Sequence, residues 1–201
     1  MADVRLADLD GLYGPPGARA AAKTLPRLDR HMTRFIGLSP FCVLASVGGD
    51  GTVDVSPRGG APGFVQVADE RTLVMPDRRG NNRLDTFRNI LSGSGEVSLL
   101  FLLPGMDETL RVAGRAELTA DPALLAAMVE FGKPPKTALR IAVREAFLHC
   151  AKAVMRGRLW EPQAQIDRSV FPSLGEMIVE QTGVGEAETQ AQMVARYRET
   201  L

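Results

Sequence analysis

Two segments punctuated by glycine place arginine side chains where they could bind an anionic ligand. Arg58 lies in residues 56–60, directly after a stretch that alternates apolar and polar residues. Residues 77–83 contain three more arginines and two asparagines, just before a helical pattern begins. Guanidinium groups donate paired hydrogen bonds and a helix N-terminus offers free N–H groups, so the combination suits a phosphate. Arginine-rich turns are also common on surfaces, and a solvated polar loop with a simple helix cap is the alternative.

Nucleotide and metal sites of the common kinds are not expected. The segment from Gly49 to Gly51 lacks the third glycine of a dinucleotide fingerprint and leads into a strand, and the sequence contains no Walker P-loop. His31 and His149 are the only histidines, and neither has a second histidine at metal-binding spacing. The arginine segments therefore remain the main candidates for a binding site.

We expect structural roles for the two cysteines, the single tryptophan and one glutamate. Cys42 and Cys150 are too far apart in sequence for a CxxC pair, so we expect neither a disulfide scaffold nor a zinc site. His149 precedes Cys150, but sequence neighbours rarely face each other as base and nucleophile, and a buried structural thiol is favoured over a catalytic one. Trp160 is expected to anchor a core or an interface, with stacking on a planar ligand as the alternative. Glu145 is expected to end a strand and to pair with an arginine.

Composition narrows the class of protein. The chain has 201 residues, of which 45% are hydrophobic, and its 24 basic side chains balance its 24 acidic ones. This balance argues against bulk binding of nucleic acid or of a membrane surface, and the 5% of aromatic residues are too few for a base-stacking surface. The start has no apolar signal core, and the longest apolar run, residues 99–103, is far too short to span a bilayer. We expect a soluble, cytoplasmic protein.

The body of the chain has the pattern of an antiparallel sheet. Alternating or continuous apolar stretches bounded by glycine, proline and aspartate predict seven short strands. They cover residues 41–47, 52–56, 64–68, 72–75, 97–103, 110–118 and 139–143. Hairpin-connected strands that must bury one face favour a small barrel, and so we expect a mainly β protein with flanking helices (α+β). The predicted organisation is a helical extension over 1–39, the barrel over 40–162 and a second helical extension over 163–201.

Helices are predicted beside and between these strands. Residues 18–23 and the apolar positions of 28–36 predict two N-terminal helices, the second ending at Gly37. Asn82 is the expected N-cap of a helix whose apolar face is formed by Leu84, Phe87, Ile90 and Leu91. A further short helix should begin after Asp121 and end near Phe131. In the tail, a capping box at Ser173 and a stop at Gly183 bound another helix, and an amphipathic stretch follows it.

Several motifs together resemble the pyridoxamine 5′-phosphate oxidase-like family of FMN-binding split-barrel proteins. The resemblance extends over about residues 40–162. The matching motifs are residues 54–59, 62–65, 76–83, 104–105, 108–112 and 149–153, together with Arg156, Leu159 and Trp160.

The resemblance implies a split β-barrel that binds FMN at the interface of a homodimer. It implies that Arg58 reaches the FMN phosphate, that the backbone of Met75 and Pro76 meets the flavin ring, and that Asn81, Asn82 and Arg83 cradle the phosphate. It also implies that Thr109 and Arg111 reach the flavin of the partner subunit. Lys152, Arg156 and Trp160 would complete the pocket.

The resemblance indicates the cofactor more specifically than it indicates the reaction. The phosphate segment and the C-terminal substrate residues of the true oxidases are missing, and Gly60 and Ala113 replace the Asp and Asn common in the most similar branch. These departures argue against oxidation of pyridoxamine phosphate. The expected function is an FMN-dependent oxidoreductase with an unknown substrate, and no catalytic acid or base is singled out. The alternatives are a flavin-binding or carrier protein without turnover, or another cofactor such as a deazaflavin or haem. Haem is disfavoured because the chain has only two histidines.

Overall fold

A computed structural model of the chain describes residues 4–130 and 132–199. Its strands are β1 (Phe41–Val47), β2 (Val53–Gly59), β3 (Gln66–Asp69), β4 (Thr72–Pro76), β5 (Glu96–Leu102), β6 (Thr109–Thr119) and β7 (Ala138–His149). Its α-helices are α1 (Leu9–Tyr13), α2 (Ala18–Ala22), α3 (Arg30–Leu38), α4 (Asp85–Ser92), α5 (Pro122–Ala126), α6 (Lys152–Gly157), α7 (Leu174–Thr182) and α8 (Gln190–Arg198). Short 3₁₀ helices cover Leu6–Asp8, Pro162–Ala164 and Arg168–Val170. The helix that begins after Asp121 ends at Ala126, earlier than the expected end near Phe131, which itself lies outside the described residues.

The strands form one antiparallel sheet in the order β2-β1-β5-β6-β7-β4-β3, with β2 and β3 at its open edges. The inward face is apolar: Cys42 and Leu44 of β1, Phe101 of β5 and Leu110 of β6 are fully buried. Helices α3 and α4 pack on this sheet, α3 against β3 and β7, and α4 against β1, β2 and β6. The predicted mainly β architecture with flanking helices is confirmed.

Two strands extend beyond their predicted limits. Strand β2 continues through Pro57 to Gly59, and the edge position explains this, since Pro57 faces a partner only on the β1 side. Strand β7 runs to His149 because a register shift between Ala113 and Gly114 of β6 absorbs an extra residue. Glu145 therefore lies within the strand, and the expectation that it ends one is wrong.

The start of α4 also differs from the prediction. The helix begins at Asp85 after Leu84, and Asn82 is not its N-cap. The side-chain oxygen of Asn81 accepts a hydrogen bond from the Arg83 N–H at 3.1 Å, and Asn82 and Leu84 both have left-handed backbone conformations, with φ of 60° and 59°. Because residues 81–84 form this turn, they cannot form the first turn of the helix, which starts at Asp85.

The inward face of α4 is partly polar. Thr86 and Ile90 are buried, whereas Leu84 and Leu91 are 47% and 70% exposed. The predicted apolar face is therefore only partly buried. The Asn89 side chain donates hydrogen bonds to Ser46 at 3.1 Å and to Asp54 at 2.6 Å, and these bonds seat the helix over β1 and β2.

The C-terminal segment forms a helical pair. The Ser173 capping box starts α7, and Gly183, with φ of 69°, ends it, as the sequence predicted. Helices α7 and α8 contact each other, and Met193 is buried. None of the described helices is both long and apolar enough to cross a membrane.

Candidate functional site

Strand β2 and helix α4 bring a guanidinium group and two hydroxyl groups together. Arg58 pairs with Cys42 in the β1–β2 ladder, so its side chain points to the inward face that α4 covers. One of its terminal nitrogens donates to the Thr86 hydroxyl at 3.0 Å, and the Ser56 hydroxyl lies 3.4 Å from the same oxygen. Thr86 is the second residue of α4, so this cluster adjoins the free N–H groups of the helix start. We call Ser56, Arg58 and Thr86 the β2–α4 cluster.

The charge of Arg58 lacks a close counter-ion. Within residues 4–130 and 132–199, no carboxylate lies within ion-pair distance of its guanidinium group. Burial lowers the pKa of Arg58, and the more distant Asp77 opposes that shift. Burial raises the pKa of Asp77, while Arg58, Lys136 and Arg78 act in the opposite direction. A partly buried cation with two neighbouring hydroxyls and a helix start is a donor set for an oxyanion such as phosphate.

Cys42 does not provide a reactive thiolate beside this cluster. Its side chain is fully buried, and burial raises its pKa to about 12 although Arg58 acts to lower it. A structural role therefore agrees with the surroundings of Cys42, whereas Cys150, for which a buried thiol was expected, is exposed.

Met75 and Pro76 lie at the end of β4, where only backbone groups are available. The Met75 side chain is buried in the core. On the β7 side, Met75 and Pro76 pair with Leu139 and Ala138, but pairing with β3 starts only at Val74. Among the described residues, the β3 side of this strand end has no strand partner, and the backbone role that the resemblance implies stays a prediction.

Asn81, Asn82 and Arg83 are exposed in the loop before α4. The Arg83 side chain is 75% exposed and pairs with Asp85 at 2.8 Å. Arg83 thus lies before the helix, and its pairing with Asp85 is one of the arrangements expected of a simple surface loop. Such exposed pairs contribute only ~0–1 kcal/mol, so this contact does not prevent Arg83 from turning toward a ligand.

Thr109 and Arg111 lie on the other face of the sheet. Leu110 belongs to the inward row of Arg58, Cys42 and Phe101, so its two neighbours in β6 point outward. Thr109 also pairs with His149, at the opposite end of β7 from the partners of Met75 and Pro76. One chain therefore does not bring the β2–α4 cluster and Arg111 into one pocket.

Arg111 belongs to a cluster of outward side chains. It donates to Glu145 at 3.0 Å, which confirms that Glu145 pairs with an arginine. The Arg111 guanidinium lies 5.5 Å from the centre of the Phe147 ring, and the Lys23 ammonium lies 4.8 Å from it. The Phe147 and His149 rings are 4.8 Å apart, and burial, Lys23 and Arg111 all lower the pKa of His149. The outward cluster therefore holds two cations, one carboxylate and an imidazole whose pKa is lowered by burial and by both cations.

Lys152 and Trp160 follow β7. Lys152 opens α6 and is exposed, as is Arg156. The Trp160 indole N–H donates to the Met106 carbonyl at 2.7 Å, which ties the segment after α6 to the turn before β6. Within the described ranges, none of these three side chains makes a hydrogen bond or an ion pair with the β2–α4 cluster.

Sequence reasoning missed several residues of these clusters. Ser56 lies in the same motif as Arg58, but only the arginine was expected to bind the phosphate. Thr86 lies in a helix for which the sequence predicted only an apolar face. Lys23 and Phe147 have no local sequence signal, because Lys23 reaches the sheet from a segment more than a hundred residues away.

Comparison with solved structures gives matches of low similarity, and no curated protein matches the sequence. An FMN-binding protein from Syntrophomonas wolfei is 14% identical, with 61% of this chain and 88% of that chain covered and a TM-score of 0.48. An F420 reductase is 20% identical, with coverages of 61% and 98% and a TM-score of 0.44. HupZ of Group A Streptococcus is 18% identical, with coverages of 60% and 93% and a TM-score of 0.48.

The assignment to a family rests on the match to a family model. The family model described as pyridoxamine 5′-phosphate oxidase matches residues 28–150. This span contains all seven strands of the sheet, the β2–α4 cluster and every residue of the outward cluster except Lys23. Since the match covers more than half of the 201 residues and coincides with an open antiparallel sheet flanked by helices, the chain belongs to the pyridoxamine 5′-phosphate oxidase family.

Proposed function

We propose that the protein is an FMN-dependent oxidoreductase of unknown substrate, and that the β2–α4 cluster binds the FMN phosphate. The observation behind this proposal is the half-buried Arg58 guanidinium, which contacts the Thr86 hydroxyl and has no carboxylate at ion-pair distance in the described chain. Burying a cation without a counter-ion is unfavourable, so the site is better satisfied with a bound anion. FMN would supply hydride or electron transfer, and the chain would bind and orient it.

The other proposed contacts surround this anchor. Asn81, Asn82 and Arg83 are in the loop that leads into α4, so they can approach the same phosphate from solvent. On the free side of this strand end, Pro76 has no N–H group and can offer a planar ring only its carbonyl oxygen as an acceptor. We assign no catalytic acid or base among these residues.

The proposed site is shared between two copies of the chain. A row of outward residues crosses the sheet without a break, from Pro57 through Val43, Leu100 and Arg111 to Phe147. Beside it, Val53 and Val55 of β2 are 62% and 64% exposed. A second copy of the chain would cover this row and the exposed valines. The outward cluster of one chain would then be buried next to the β2–α4 cluster of the other chain. Thr109 and Arg111 would then act on the partner's flavin, and Lys152 and Trp160 would border the same pocket.

The phosphate assignment is tested by titrating the protein with FMN and with riboflavin. Riboflavin lacks the phosphate, and charge-assisted hydrogen bonds contribute ~1.5–3 kcal/mol each, so FMN should bind about tenfold more tightly or better. Equal affinity for the two flavins would overturn the assignment. Reduction of the bound flavin by NADH or NADPH in a stopped-flow experiment, followed by reoxidation with candidate acceptors, would then separate an enzyme from a carrier.

A further inference from the structure

The ion pair between Arg78 and Glu130 is more deeply buried than the other ion pairs in the described ranges. Its nitrogen and oxygen are 2.9 Å apart, and the side chains are 28% and 15% exposed. Arg78 follows β4 at the start of the loop to α4, whereas Glu130 lies in the connection between α5 and β7. Nothing in the sequence connects these two positions, and the expected FMN contacts do not include them.

Glu130 also holds the segment that follows β2. Its other carboxylate oxygen accepts a hydrogen bond from the Ala61 N–H at 2.8 Å. The chain can approach this closely because residue 60 is a glycine: a Cβ there would lie 2.8 Å from Phe64 Cβ and 3.3 Å from a Glu130 oxygen. One carboxylate therefore joins the segments that follow β2 and β4.

These contacts fix the loop of residues 77–84 at both ends. At its start, the Asp77 N–H donates to the Thr137 carbonyl at 2.9 Å, and Arg78 is held by Glu130. Beyond its end, Thr86 accepts from Arg58. Residues 79–84 are exposed between these attachments. The loop's position relative to Arg58 thus depends on three contacts, one of which is made by the Glu130 carboxylate.

Stability alone is a poor reason for such an ion pair. Desolvation offsets much of the attraction in a buried pair, and an apolar pair of similar size is often as stable. The Arg78 Nε atom is in addition buried without a hydrogen-bond partner. The pair does, however, restrict the geometry, because a planar guanidinium group donates hydrogen bonds to a carboxylate in only a few directions.

We infer that Glu130 is a positioning residue for the phosphate site. It holds the start of the loop of residues 77–84, through Arg78, against the segment that follows Arg58, through Ala61. The inference rests on the proposed function, since it assigns the loop's geometry to the recognition of the FMN phosphate.

The test is the variant Glu130→Gln, which keeps an oxygen for the Ala61 N–H but loses the charge that binds Arg78. FMN affinity should fall by up to about tenfold, because the loop must then be ordered when FMN binds, while riboflavin affinity stays unchanged. In the flavin-free protein, amide hydrogen exchange across residues 77–84 should become faster. The matched control is Glu70→Gln, which removes the carboxylate of the exposed Arg27–Glu70 pair at 3.2 Å and should change none of these quantities.

The outcomes separate this inference from the proposed function. Unchanged hydrogen exchange in Glu130→Gln, or an equal loss of affinity for both flavins, would overturn the positioning role. Equal binding of both flavins by the unmodified protein would overturn the FMN proposal, whatever the exchange data. Should Glu130→Gln fail to fold, Arg78→Lys decides the question: it keeps the charge, loses the planar fork, and should give the same changes in smaller measure.

Discussion

Arg58 and Arg83 are both proposed phosphate contacts, but their surroundings differ. Arg58 is half-buried, donates to Thr86 and has no carboxylate at contact distance among the described residues, whereas Arg83 is exposed and pairs with Asp85. A buried cation that gains an anion should gain more than a solvated cation that must exchange one anion for another. Arg58 is therefore expected to be the principal anchor and Arg83 a secondary one.

The variants Arg58→Ala and Arg83→Ala test this order. We expect Arg58→Ala to weaken FMN binding by about tenfold to a hundredfold, as loss of ~1.5–3 kcal/mol implies, and Arg83→Ala to weaken it by less. Arg34→Ala, which removes an exposed arginine of α3, is the control and should bind FMN normally. Flavin titration gives the affinities, and circular dichroism checks the strands. Normal binding by Arg83→Ala would return its loop to the simple surface interpretation.

Residue types identified the region of the candidate site but not its arrangement. Arginine and asparagine beside a helix start indicated an anion, and Arg58 does lie beside α4. The sequence could not show that Thr86 faces Arg58, because that contact joins residues 28 positions apart through the packing of a helix on a sheet. It also could not show that Glu130 meets Arg78, since neither residue has a local pattern that indicates a partner.

At the scale of elements, alternation predicted the number of strands and most of their positions. The predicted ends of some elements were wrong where contacts with neighbouring elements outweighed the local sequence pattern. An edge position let β2 continue through a proline, an Asn81 turn delayed α4, and a bulge carried β7 past the expected end. Each exception depends on what lies beside the element, and a single sequence does not contain that information.

The bulge between β6 and β7 supplies a prediction about stability. A Cβ at Gly114 would lie 2.1 Å from the Ala142 carbonyl oxygen, a backbone atom that cannot turn away. Gly114→Ala should therefore lower the free energy of unfolding by about 1–3 kcal/mol or more. Gly37→Ala is the matched control: the site in α3 has open space, and alanine should stabilise the helix by up to ~1 kcal/mol. Urea denaturation measures both, and an unchanged midpoint for Gly114→Ala would show that the two strands can shift without loss.

At the scale of the whole molecule, the proposed binding site uses side chains from both faces of one sheet. The β2–α4 cluster points inward and the Arg111 cluster points outward, on strands separated by β1 and β5. The exposed valines of β2 and the outward row that ends at Phe147 form one continuous surface. A symmetric dimer through that surface would form two equivalent sites, each with an inward cluster from one chain and an outward cluster from the other.

The proposed sharing of each site between two chains can be tested by subunit complementation in vitro. A chain with Arg58→Ala and a chain with Arg111→Ala should each bind FMN weakly. When the two are unfolded together and refolded, half of the dimers should be mixed, and each mixed dimer has one site with both defects and one with neither. About a quarter of all sites should thus regain normal affinity. Light scattering should give about twice 21.7 kDa for every preparation. Mixtures that bind no better than their parents would mean that each chain builds its site alone.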